Sequence, residues 1–227
     1  MNIIITSISP TKPKVLAGLV ATQRAILYSL PQYEEHVNNL RSIDQIRARK
    51  LQNWFNYVWG LVENHHQSED AELFPTVAQR AAAFQHHIRA LNIQHNRLEQ
   101  LSGQLNQDLN SLQVVTKVVD RLALEYQFKK RLEKFRAEMV NHLGYKERVF
   151  IPALTNNYSE AEQKAIEDKL RQNMSLDFMS RLFPWMLEAL APKEASEMLE
   201  MLPGPVQNLY HQIWKPQFDH MMAAWRS

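Results

Sequence analysis

The sequence predicts an all-α fold, an antiparallel up-down four-helix bundle carrying additional C-terminal helices. Three observations carry that expectation. Only five glycines occur in 227 residues, so long stretches lack the commonest helix weakener. Apolar residues in the first two thirds recur in steps of three and four, the spacing of one helical face. The ten prolines fall mostly near the edges of these stretches, where helices begin or stop.

In chain order, Pro10 and Pro13 precede a first helix with Leu16, Leu19, Val20, Ile26, Leu27 and Leu30 on one side, and Pro31 should end or kink it. Ser42 or Asp44 can cap a second helix, whose Leu51, Trp54, Phe55, Val58, Leu61 and Val62 lead towards Pro75. A third carries Phe84, Ile88, Leu91, Leu98 and Leu105, followed by the polar stretch 106–111. The β-branched run of Val114, Val115, Thr116, Val118 and Val119 makes an awkward start for the fourth, because branching at Cβ restricts χ1 in a helix. That helix places Phe128, Leu132, Phe135, Met139 and Val149 on one side, up to Pro152. Ser159 and Glu162 form a capping-box pattern for a further helix. Beyond it Pro184, Pro192, Pro203, Pro205 and Pro216 divide a segment rich in Trp, Met and Leu into short pieces that need the bundle to pack against. The expected division is therefore residues 1–155 as bundle and 156–227 as an extension packed on it.

Composition excludes much. The absence of cysteine removes disulfides, zinc–thiolate and iron–sulfur sites and cysteine nucleophiles. The sparse glycines match none of the nucleotide-binding or nucleophile-elbow patterns. A net charge of +2 is too balanced for a dedicated nucleic-acid binder. Met1–Ile5 is too short for a signal peptide, and no run approaches the roughly 20 apolar residues of a membrane span, so a cytoplasmic protein is expected.

The informative feature is a polar residue in the middle of each apolar stripe. The first helix reads Leu16, Leu19, Gln23, Ile26, Leu30; the second Leu51, Trp54, Val58, Leu61, His65, Glu69, Leu73. The third reads Phe84, Ile88, Leu91, His95, Leu98, and the fourth Phe128, Leu132, Phe135, Met139, His142, Lys146, Val149. In an up-down bundle, residues at one level are equidistant from the intervening turn. Residue 44 is the midpoint of Gln23 and His65, 80 that of His65 and His95, and about 118 that of His95 and His142; the first two fall where turns are expected, and the third, in the β-branched run, is compatible with one. One polar layer results. His65 and Glu69 lie about 6 Å apart along the helix axis, a chelating spacing. Imidazole with carboxylate and no thiol suits iron, manganese or zinc.

A lone histidine on an apolar face is more often a satisfied core group; three at one level beside a carboxylate put ligation on equal terms with that reading. His66 and the pair His86 and His87 read as surface or supporting groups. His36, His211 and His220 carry no spacing signal, and Lys129, Lys130 and Arg131 read as a solvated face. Ferritin-like sites need two Glu-x-x-His motifs, and only Glu63–His66 fits. HExxH is absent.

The stretch from His65 to Pro75, HHQSEDAELFP, resembles the HHxxEDxxLFP element of hemerythrin-like (HHE cation-binding) domains. Gln94–Leu98 resembles their third-helix element, and His142-Leu143 through Glu147 and on to Pro152 their HLxxEExxxxP element. Leu182–Glu188 and Leu202-Pro203 resemble the C-terminal extension of one bacterial branch. The resemblance implies a four-helix bundle holding a non-haem di-iron site, used for oxygen binding, iron handling, or sensing of O2 or NO. The ligand set it suggests is His65, Glu69, His95, His142 and Glu147. Two positions depart from the pattern. Gln23 stands where that branch usually offers a histidine, and Lys146 where a carboxylate often stands.

The leading expectation is a mono- or di-nuclear iron site, with manganese or zinc as other ions this set suits. It would serve storage, sensing or reaction with a small diatomic ligand. A second reading is a metal-free helical interaction module in which Lys146 replaces the ion by pairing with Glu69 or Glu138 while Gln23 bonds an imidazole. A third is a di-iron oxygenase acting on an organic substrate, which needs an open cavity beside the metal.

Overall fold

The computed structural model describes residues 17–226, and among these every regular element is helical. The features expected at Met1–Ile5, Pro10, Pro13 and Leu16 lie outside the described residues. Helix α1 (Ala17–Asn39) continues past Pro31, which therefore does not end it. Leu30, Tyr33 and Val37 carry the buried face across the proline, and that burial offsets the lost backbone hydrogen bond. Helix α2 (Gln45–Ser68) is capped by Asp44, whose carboxylate accepts from the Arg47 amide at 2.9 Å. It runs into a π-helical turn, Glu69–Leu73, and a short α3 (Phe74–Ala78). Pro75 sits in the first turn of α3, where its missing N–H costs least.

Helix α4 (Gln85–Val114) extends through the polar stretch 106–111, because Leu109 and Leu112 keep the inward face apolar. The β-branched run supplies the break: Val115 and Lys117 are extended, and α5 (Val118–Asn157) starts directly after them. Helix α5 also passes through a proline, Pro152, with Ile151 and Leu154 buried on either side of it. The Ser159–Glu162 capping box opens α6 (Glu160–Gln172). There follow α7 (Leu176–Glu188), α8 (Pro192–Glu200), α9 (Gly204–Leu209), a π-helical turn Tyr210–Trp214, and α10 (Lys215–Arg226). Pro184 does not divide the chain; it is buried inside α7.

Helix α4 packs on α5 and α2, and α1 on α5, which closes the bundle. The C-terminal helices cover the α1–α2 side. Trp185 Nε1 on α7 donates to Ser29 Oγ on α1 at 2.7 Å, and the Tyr57 hydroxyl on α2 donates to the Arg181 carbonyl at 2.7 Å. The Trp225 ring of α10 stacks 5.0 Å from that of Trp54 on α2. Helix α6 reaches the start of α1, where Glu167 Oε1 accepts from the Gly18 amide at 2.7 Å. A negative group at a helix N-terminus is stabilising, and a Cβ at Gly18 would lie 2.9 Å from that oxygen, so the glycine makes room for it.

Two separate apolar cores result. One contains Val62, Leu98, Met139 and Leu143 together with the inner faces of α7 and α10. The other contains Leu73, Phe74, Leu91, Phe150 and Leu154. On α2, α4 and α5 the switch from one core to the other brackets the same short polar interval. Among the described residues, no helix is long and apolar enough to cross a membrane.

Candidate metal centre

The polar interval is buried. Glu69 is 1% exposed, His66 and His95 are each 5% exposed, and His142 and Lys146 are wholly enclosed. Helix α2 and its π-helical turn supply His65, His66, Glu69 and Asp70; α4 supplies Gln94 and His95; α5 supplies His142 and Lys146. A π-turn inserts one residue into the helical repeat and re-aims the side chains around it; such turns are frequent at functional sites.

His66, His95 and His142 each offer a ring nitrogen, and these nitrogens lie within 4.8 Å of one another. The His66 and His95 rings stack with centroids 4.0 Å apart, and the His142 ring stands edge-on to both, 5.1 Å from His66 and 4.8 Å from His95. The outward nitrogens of two rings are tied down. His95 Nδ1 lies 2.9 and 3.0 Å from the Asp70 carboxylate oxygens, and His142 Nδ1 lies 3.0 Å from Gln94 Oε1. A carboxylate and an amide oxygen only accept, so Nδ1 donates in both rings, and in the neutral form of either ring the lone pair is on Nε2. Those Nε2 atoms, together with His66 Nε2 and Glu69 Oε2, are buried and have no hydrogen-bond partner. Glu69 Oε2 and His95 Nε2 stand 3.6 Å apart, too far for a hydrogen bond. Such a group of unsatisfied acceptors is costly unless something cationic or donating lies among them.

The other Glu69 oxygen has a partner. Lys146 Nζ donates to Glu69 Oε1 at 2.6 Å and to His65 Nε2 at 3.1 Å. His65 Nε2 and Glu69 Oε1 are themselves 3.1 Å apart, both turned to the ammonium. Burial alone would raise the Glu69 carboxyl, but His65 and Lys146 outweigh it and hold the group well below the usual carboxylate range. Burial, with His95 adding to it, puts His66 well below the ordinary imidazole value. Burial first, and then Lys146 and His95, lowers His142 to about 2. Both imidazoles are neutral at physiological pH, the form that donates a lone pair to a metal.

Of the residues singled out in the sequence, the structure brings Glu69, His95 and His142 together. His65 turns instead to Lys146 and is 14% exposed along its side chain. Glu147 is half-buried and lies outside the histidine trio. The expected pairing of Lys146 with Glu69 is present, whereas Glu138 faces Arg97 at 3.4 Å. Gln23 is buried, but its Nε2 finds no acceptor. The reading of His66 as a surface or supporting group is corrected: it lies in the middle of the cluster. A step of four from the core residue Val62 lands on His66, but the same step from Leu61 lands on His65, so the spacing did not separate the two. His87 is a supporting group of another kind, its Nδ1 lying 2.7 Å from the Tyr145 hydroxyl.

Compared with curated proteins and with solved structures, the chain matches none. The family model described as the Hemerythrin HHE cation binding domain matches residues 18–154, which carry α1 to α5 and every donor named above. A buried trio of imidazoles beside a carboxylate is the donor set a cation-binding bundle needs, and the chain belongs to the hemerythrin HHE cation-binding domain family.

Proposed function

We propose that the protein binds a single non-haem metal ion, iron first among the candidates, through His66, His95, His142 and Glu69. The observation that carries this reading is the buried trio His66, His95 and His142, whose ring nitrogens lie within 4.8 Å of one another, together with four buried atoms that have no hydrogen-bond partner, the three Nε2 and Glu69 Oε2. Neutral nitrogen and carboxylate oxygen suit iron, manganese or zinc alike. Asp70 and Gln94 hold two of the imidazoles in the metal-binding tautomer from outside, the usual arrangement around protein-bound metals.

Among the described residues a second ion has no comparable place. Lys146 already presents a cation to Glu69 Oε1 and His65 Nε2, and its charge repels another ion. Glu69 would thus serve the ion with one oxygen while its other oxygen holds the protein's own ammonium. Iron held by these residues would supply binding of a diatomic ligand such as O2 or NO, the chemistry that sensing or oxygen handling needs. The chain's own residues orient the imidazoles, exclude water with Phe74 and Val62, and fix the charge beside the ion through Lys146.

Metal quantitation on protein purified without chelators tests the reading. One equivalent per chain is expected, and two equivalents or none would refute it. A Lys146→Glu variant removes the resident cation and restores a carboxylate, and it should bind close to two equivalents.

A further inference from the structure

Between the bundle and the C-terminal helices lies a chamber of about 130 Å³ that reaches His65 and Glu69. Its walls come from α1, α2 and the covering helices α6 to α8, with Leu61, Leu182, Phe183, Met186 and Leu202 among the apolar groups. We propose that this chamber is a binding site for a small, uncharged organic molecule, about the size of one aromatic ring and carrying one hydrogen-bonding group. The C-terminal helices would thereby be the outer wall of a ligand site. This reading extends the proposed metal centre, because Glu69 borders both spaces, but occupancy of the chamber does not require the ion.

Size, lining and charge each narrow the occupant. An engineered cavity of about 150 Å³ lined by aliphatic side chains stays dry and takes up benzene, so this space accommodates a single ring. Four methionines, Met174, Met186, Met198 and Met201, border it, and flexible thioethers adapt to an irregular guest. Polar groups are gathered on the α2 wall, where Asn64, His65 and Ser68 join Glu69. The cationic group on the border, Arg171, is already paired with Asp168, and Glu69 with Lys146, while Glu167 accepts from the Gly18 amide. An anionic guest would lose its hydration without finding a free counter-charge, whereas a neutral hydroxyl needs only a hydrogen bond.

Phenol, uncharged at neutral pH, is a suitable probe, and benzoate is its charged counterpart of similar size. The full chain, labelled at the methionine methyls, is titrated as purified and again after chelator treatment. Phenol should shift the resonances of Met174, Met186, Met198 and Met201 saturably in both preparations and leave Met139, which does not border the chamber, unmoved. Benzoate should bind at least about tenfold more weakly, about 1.4 kcal/mol. Leu170→Trp fills the chamber from α6, and Met201→Trp obstructs it from a position 53% exposed, where folding is not at stake. Each should weaken phenol about tenfold or more. Absence of saturable shifts, equal affinity for benzoate, or undiminished phenol binding by Met201→Trp would overturn the proposal. Because metal stoichiometry is measured separately, a chamber that binds nothing leaves the metal reading intact, and a chain that binds no metal leaves the chamber intact.

Discussion

Glu69 uses its two carboxylate oxygens for different tasks: Oε1 takes the Lys146 ammonium and Oε2 faces the imidazoles. Adjacent histidines on α2 divide in the same way. His66→Ala should abolish metal binding, while His65→Ala should leave one equivalent bound, as read by metal analysis of the two purified variants. Lys146→Met strands a buried carboxylate charge and should cost the metal-free protein about 3–5 kcal/mol in denaturant unfolding. Acid sensitivity follows from the depressed imidazoles. In the unfolded chain His66 and His142 take up protons near pH 6.5, whereas in the folded protein they resist protonation. The stability they confer is full above that pH and falls by about 1.4 kcal/mol per pH unit for each group as pH drops towards their folded values. Glu69 adds to the loss once pH falls below the ordinary carboxylate range. Unfolding of metal-free protein between pH 7.5 and 5 checks the sign, and stability that rises on acidification would contradict it. At this scale the polar layer was legible because Gln23, His95, His142 and Lys146 each interrupt an apolar stripe. His66 was not, because His65 and His66 both follow core residues by one helical turn. Only the three-dimensional meeting with His95 and His142 separates them.

Helices in this protein end for reasons that a list of breakers does not capture. Pro31, Pro152 and Pro184 each lie inside a helix whose buried face continues on both sides, so tertiary burial outweighs the local penalty. The β-branched run does end α4, since Val115 and Lys117 both adopt extended backbone. Caps were the more readable signal: Asp44 and the Ser159–Glu162 pair stand where the sequence pattern puts them. The π-helical turn at Glu69–Leu73 has no comparable signature, because it records how α2 accommodates the site and not a preference of EDAEL itself. The clasp between α7 and α1 includes the buried hydrogen bond from Trp185 to Ser29. Trp185→Phe removes the donor, leaves the Ser29 hydroxyl buried, and should destabilise the chain by about 1–2 kcal/mol. Thermal unfolding of that variant measures it, with Trp185→Phe/Ser29→Ala expected to recover part of the loss.

On the scale of the whole molecule, the bundle class and its C-terminal helices were readable from periodicity, composition and the HHxxEDxxLFP resemblance. The chamber between bundle and covering helices was not, since it depends on how α6 to α8 lean on α1 and α2 and no periodicity encodes that. The two apolar cores are joined through a hydrophilic waist that hydrophobic packing does not bridge. Cooperativity across it therefore rests on the Lys146–Glu69 pair and, on the proposed metal reading, on the ion. Emptied of its metal, the protein should behave as two partly independent foldons. Amide exchange should accelerate first around Phe74, Phe84 and Phe150, the end without α7 and α10 over it, while Ile26 and Leu61 stay protected. Restoring the metal should merge the two exchange regimes, so the ion would act as a latch between halves of the bundle.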